Sequence, residues 1–247
     1  MPLGKLQVRI GAIVLGLAVS MGISGSQAGE LNEFQGLIAK ANSHYRISVN
    51  YLRTGNVDFA AIELEGMIAN WKKLDINGRD EFPDPYEGDP DIRRTLQDIG
   101  GVAELALSYI DEGKPEQAHK LIKPIRSMLH NLRVRNGFYG LEDCLYDASR
   151  NFGRLYAYKD EEPDFALSGD GARLIGYAAI TAERLKQCDG MAADKISKNE
   201  EFRRLIDGAT SSLARVPEAV ETEDNALLHR LLIELKSFDR LLFFRYG

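Results

Sequence analysis

Two cysteines, four histidines and one run of carboxylates are the groups in this 247-residue chain with the most chemical potential. Cys144 and Cys188 are the only thiols. They lack the Cys-x-x-Cys spacing of a redox-active pair and the Cys-x-x-Cys-His signature of covalent haem attachment. Their midpoint falls in the loop 159–170, where two antiparallel helices turning back would bring both cysteines to the open end of one hairpin. A structural disulfide is the expected state. Closing a loop of about 45 residues would stabilise the fold by roughly 4 kcal/mol in the chain-entropy picture.

His44, His119, His130 and His229 form no His-x-x-x-His or Glu-x-x-His pair, so zinc and di-iron signatures are absent. Haem held without covalent attachment needs a Met and a His from distant helices, and Met67 or Met128 with His229 or His44 would be the pairs to consider. The segment Asp75-Ile-Asn77-Gly78-Arg-Asp80-Glu81, continuing to Asp84, Glu87, Asp89 and Asp91, is rich in hard oxygen ligands. Calcium takes such ligands in loops, but here the glycine is fourth from Asp75 where an EF-hand has it sixth. A solvated acidic loop is expected. Nucleophile elbows and phosphate-binding glycine loops are missing too. The expectation is therefore no catalytic residue, no metal ligand set, no assigned cofactor and no enzyme activity.

The elements that must position these residues are helices. Between Val57 and Leu74 the apolar residues Val57, Ala60, Ala61, Leu64, Met67, Ile68, Trp71 and Leu74 recur at spacings of three and four, which lines them along one helical stripe. Pro115 suits a first helical turn. Ser197-Lys-Asn-Glu200 has capping-box spacing, and Thr222 ahead of Glu223 and Asp224 reads as another helix entry. These signals predict an all-α fold of antiparallel hairpins, with helices near 30–53, 56–74, 91–112, 115–134, 141–158, 170–188, 198–215 and 224–244. The proline-rich break 75–91 is the longest, and the Asn136–Gly140 break suggests a division into 29–138 and 139–247.

Residues 1–28 read as a secretory signal. Lys5 and Arg9 start it, Ile10–Ile23 is its apolar run, and Ser26-Gln27-Ala28 offers small residues for cleavage. Fourteen apolar residues fall short of the roughly 20 that span a bilayer. Cleavage after Ala28 would leave 219 residues (247 less 28) with 29 basic against 37 acidic side chains, a net charge of −8. That balance disfavours nucleic acid and anionic lipid as partners. A soluble protein of the periplasm is expected, without stable membrane insertion once the signal is removed.

Two hairpins repeat at an offset of 58. Tyr51-Leu-Arg-Thr-Gly55-Asn-Val-Asp-Phe-Ala60 aligns with Tyr109-Ile-Asp-Glu-Gly113-Lys-Pro-Glu-Gln-Ala118, and the match extends to Leu64 with Ile122 and Leu74 with Leu132. This resembles tetratricopeptide-type helical hairpin repeats over residues 45–135, although the period is not that family's 34 residues. The resemblance implies a binding or scaffold module with a groove for another periplasmic protein or a peptide, and it points to Tyr51, Asn70, Trp71 and Tyr109 as groove residues. The runner-up is a periplasmic bundle holding haem or a metal ion for electron transfer or metal handling. The last helix carries a stripe of Leu227, Leu228, Leu231, Leu232, Leu235, Phe238 and Leu242, widened by Ile233, Leu241, Phe243 and Phe244. Such a helix is buried by several neighbours or by a partner, including a second copy of the chain, near Phe243–Tyr246.

Overall fold

The structure is a computed structural model that describes residues 23–161, 163–165 and 169–247. Among the described residues the chain is all-α, with no strand. Its helices are α1 (Ile23–Thr54), α2 (Val57–Lys72), α3 (Ile92–Asp111), α4 (Pro115–Ile122), α5 (Ile125–Arg135), α6 (Leu141–Tyr156), α7 (Asp170–Met191), the single turn α8 (Asp194–Ser197), α9 (Glu200–Ala214), α10 (Val216–Glu221) and α11 (Asn225–Tyr246). Of the expected signal segment, residues 1–22 lie outside the described residues, and α1 runs through Ala28. No helix among the described residues is long and apolar enough to cross a membrane.

Three local expectations need correction. The helix expected over 115–134 divides at Pro124, which has no N–H to donate back and whose ring crowds the preceding turn. The Ser197–Glu200 capping box is not formed. Asn199 caps α9 instead, its side chain accepting from the Glu201 and Phe202 amides, while the Ser197 hydroxyl donates to the Asp194 carbonyl. Thr222 does not open α11 either; its hydroxyl donates back to Glu218 O, and Asp224 accepts from the Leu227 amide.

Burial repeats with the hairpins. In α1 and the α1–α2 unit, Phe34, Ile38, Ala41, Tyr45, Leu52, Ala60, Leu64, Met67, Trp71 and Leu74 are buried. Fifty-eight residues on, so are Ile92, Leu96, Ile99, Ala103, Ile110, Ala118, Ile122, Ile125, Leu129 and Leu132. The turns match as well. Gly55 (φ 80°) and Gly113 (φ 73°) both take the left-handed conformation. The next amide in each donates back to the aromatic residue that begins the last turn, Asn56 to Tyr51 O at 3.0 Å and Lys114 to Tyr109 O at 2.7 Å. This is the helix stop that glycine favours, because a Cβ at positive φ meets the backbone. Gly55→Ala and Gly113→Ala are each expected to cost about 1 kcal/mol, read as a lowered midpoint in urea unfolding.

The second half repeats itself at an offset of 57. Leu145, Ala148, Phe152, Leu155, Leu174, Ala178 and Leu185 are buried, and so are Phe202, Leu205, Ala209, Ser212, Leu231, Leu235 and Leu242. Here the left-handed turn residue of the last hairpin is Glu223 (φ 53°), with the Asp224 amide donating to Ala219 O at 2.9 Å. Among the described residues, helices adjacent in sequence pair by contact: α1 with α2, α3 with α4, α6 with α7, and α9 with α11. Their side chains form two cores, one running from Phe34 to Leu132 and the other from Cys144 to Leu242.

Successive pairs pack in order. α2 lies on α3 and α1 on α4; α5 meets α6; α7 lies on α9 and α6 on α11. The end of α11 then returns to α1. The Trp71 indole ties the first two hairpins by donating to Leu96 O at 2.9 Å. The Cys144–Cys188 disulfide ties α6 to α7, with the Cα atoms 5.4 Å apart.

Candidate functional site

Five of the buried polar residues, Asn42, Asp89, His130, Asn136 and Asp143, lie around the place where the two halves meet. On α1, Gln35, Ile38, Ala39, Asn42 and Arg46 share one face, each three or four residues from a neighbour, and line a cleft of about 560 Å³. Tyr86 closes one side from the 73–91 connection. The Gly137–Gly140 loop, Arg133, Glu142 and Tyr246 supply the others. That volume is within the roughly 300–1,000 Å³ of small-ligand sites.

Each wall is held by specific bonds. Asp143 is fully buried, and its carboxylate accepts from Arg133 Nε and Nη2 (3.0 and 2.8 Å) and lies 3.0 Å from His130 Nδ1. It also accepts from the Gly140 amide at 3.0 Å, which fixes the loop to the start of α6. His130 stacks on Tyr146 with centroids 4.3 Å apart. Asp89 anchors the Tyr86 segment to α5 by accepting from Arg135 Nε (2.5 Å) and Asn136 Nδ2 (2.8 Å).

Burial pushes the Asp89 carboxyl up, but the hydrogen bonds from Asn136 and Arg135 outweigh it and hold its pKa below the ordinary 3.8. A carboxylate lowered in the folded state stabilises the fold above the unfolded value and loses that contribution as pH falls through the folded one. Asp89→Asn is therefore expected to remove about 1–3 kcal/mol near neutrality and to reduce the slope of stability against pH below about pH 4. Urea unfolding at stepped pH would show both.

Three guanidinium groups meet at this junction with unequal partnership. Arg133 is matched by Asp143 and stands 3.5 Å from Glu142. Arg126 is buried between Phe243 (4.4 Å) and Tyr146 (5.3 Å) and donates to Ser149 Oγ and Leu145 O. Arg46 donates through Nη1 to the Phe243 and Phe244 carbonyls at 3.4 and 3.2 Å, while Asn42 donates to Gly247 O. Its Nε is buried without a hydrogen-bond partner, and no carboxylate among the described residues lies within ion-pairing distance of it. Burial lowers the pKa of Arg46, opposed by Glu142 and assisted by Arg126 and Arg133. The group stays cationic, since guanidinium holds its proton far above neutral pH. The cleft is therefore lined by a cationic Arg46 and by Glu142, whose negative charge acts on it.

The sequence-nominated groove residues are elsewhere. Tyr51 packs on Phe59, with centroids 5.4 Å apart. Asn70 donates to the Gly66 carbonyl of its own helix. Trp71 is a core residue, and Tyr109 lies beneath Lys114. None of the four lines the cleft between the halves.

Among the histidines, His44 is 2.7 Å from Glu63 Oε2 and His229 Nδ1 is 3.2 Å from Lys159 O. Met67 lies in the first core, away from the C-terminal hairpin that carries His229. No group of three or more His, Cys, Asp or Glu among the described residues is placed to hold a metal ion. Within the acidic segment, Asp89 is bonded as above and Glu87 accepts from the Phe82 amide.

The apolar end of α11 has its neighbour within the chain: Phe243 packs on Tyr45 at 6.1 Å and under Arg126. No protein-family model, curated protein or solved structure matches this chain. The site is thus defined by its geometry alone. What sequence reasoning missed was Arg46 and its cleft. The available signal was polar Asn42 in a buried stripe, one turn before an arginine.

Proposed function

We propose that this protein is an exported helical binding module whose ligand is the carboxylate end of a short peptide, held in the cleft between its halves. The carrying observation is Arg46, a half-buried guanidinium without a carboxylate among the described residues in ion-pairing distance, lining a cavity of about 560 Å³. A carboxylate entering there would meet the guanidinium charge of Arg46 in the cleft wall. Gln35 and Asn42 lie along the same wall, where amide side chains suit a peptide backbone. Glu142 can accept from a peptide N–H, and Phe138, Tyr139 and Tyr246 offer aromatic surface to a side chain.

Export to the periplasm is supported by the signal-like residues 1–28 and by the disulfide, which persists in oxidising compartments. The tetratricopeptide likeness supports a binding role, because stacked hairpins create grooves between successive units. The repeated burial and the matching Gly55 and Gly113 turns belong to that support.

The test is a thermal-shift panel on residues 29–247, using tripeptides as free acids and as C-terminal amides. Binding to the folded state raises the midpoint. Free acids are expected to raise it and the paired amides to leave it unchanged. Equal shifts for acids and amides, or none for either, would overturn the reading.

A further inference from the structure

A second cationic site lies on the stapled hairpin, away from the cleft. Arg150 and Arg154 stand one turn apart on α6 and Arg184 faces them from α7, lining an open hollow of about 240 Å³ with Asp147 and Asn151. No ion pair among the described residues includes any of the three arginines. Asp147, the one carboxylate present, is engaged elsewhere: it accepts from Tyr139 Oη at 2.7 Å and lies 3.9 Å from His130 Nε2. Three arginines against one carboxylate leave the hollow net positive on a chain of net charge −6. Like charges one helical turn apart also repel, so the arrangement works against folding unless something else uses it.

The hollow is built on rigid parts. Cys144 and Cys188 join the two helices that carry it, and the Arg184 carbonyl is 3.7 Å from Cys144 Sγ. Arg150 is supported by the Tyr146 ring, 6.0 Å away. Tyr146 is itself held between His130 and Arg126. A guanidinium on a fixed support, as Arg150 is on Tyr146, loses less freedom when it binds, and planar guanidinium forks suit a tetrahedral oxyanion approached from several sides.

We propose that Arg150, Arg154 and Arg184 form a binding site for a dianionic phosphate group, pre-arranged by the Cys144–Cys188 staple. This gives the disulfide a role in recognition beyond stability. The site is independent of the carboxylate cleft, and either can fail without the other.

The experiment is calorimetric titration of residues 29–247 with inorganic phosphate, with sodium chloride adjusted to constant ionic strength. Saturable binding is expected, weakened at least about tenfold in R150Q/R154Q/R184Q through loss of charge-assisted bonds. That variant should melt no lower than the parent without phosphate, because in the parent the exposed Arg150 and Arg154 and the half-buried Arg184 repel one another. The C144S/C188S protein, checked for helix content, should bind several-fold more weakly with all three arginines present. Absence of saturable binding by the parent, or equal affinity in the glutamine variant, would overturn the site. Unchanged affinity in the serine variant would overturn the pre-arrangement by the disulfide.

Discussion

Asp143→Ala will destabilise the protein by about 3–5 kcal/mol, the largest loss expected from a single substitution. The carboxylate has no exposed surface and accepts from both Arg133 nitrogens and the Gly140 amide, with His130 beside it. Removing it leaves a guanidinium, an imidazole and a backbone amide without their acceptor at the junction of the two cores. A buried charge stripped of its partner costs more than the pair contributed, because desolvation has already been met. For a chain of this size the loss corresponds to a fall of roughly 6–20 °C in Tm. Asp143→Asn should lose less, since its amide oxygen still accepts from Arg133. Chemical denaturation of the parent and both variants checks the order. Equal stability of the parent and Asp143→Ala would mean that the junction is not held by this carboxylate.

Replacing both cysteines with serine is the second large effect, about 4 kcal/mol. The bond spans a sequence separation of 44 between α6 and α7. Its main action is on the unfolded chain, where it removes conformations that an open loop would explore. Two readouts follow. The urea midpoint should fall, and the dependence on urea should steepen, because an uncrosslinked chain exposes more surface on unfolding. Helix content should persist, since Leu145, Phe152, Leu174 and Leu185 still bury the hairpin against α9 and α11. A change below about 1 kcal/mol would show that the hairpin is already ordered without its staple.

The helical class was legible because spacing of three and four is a local property, and so was the cysteine pair, which required only a hairpin turning between 144 and 188. The first repeat could be seen through Gly55 and Gly113, where the turn demands a residue free of Cβ. The second repeat was hidden. Its positions keep burial while exchanging size, with Ala148 against Leu205 and Phe152 against Ala209, and Glu223 occupies the left-handed turn in place of glycine. A packed core conserves total volume across neighbours more strictly than the residue at any one position.

The cleft was harder to read. Gln35, Arg133, Glu142 and Tyr246 meet only after the helix pairs have packed, so no spacing in the sequence brings them together. Arg46 looks like any charged residue on a helix surface until the end of α11 covers its face. Trp71 misled for the opposite reason. The repeat resemblance nominated it for a groove, while its indole N–H donates to Leu96 O inside the core. The width of the apolar face on α11 was visible, and its Phe243 end is explained by α1 and Arg126 of the same chain.

We propose that Arg46 receives a peptide carboxylate between the two halves. The most direct measurement is calorimetric titration of the best free-acid tripeptide into the parent, Arg46→Lys and Arg46→Gln proteins. Lys keeps the charge without the fork, so a partial loss is predicted, while Gln should lose at least about tenfold in affinity. Helix content and urea midpoints of the three proteins separate binding from folding, because Arg46 also donates to the Phe243 and Phe244 carbonyls. A folded Arg46→Gln protein that binds the free acid as tightly as the parent would contradict the account.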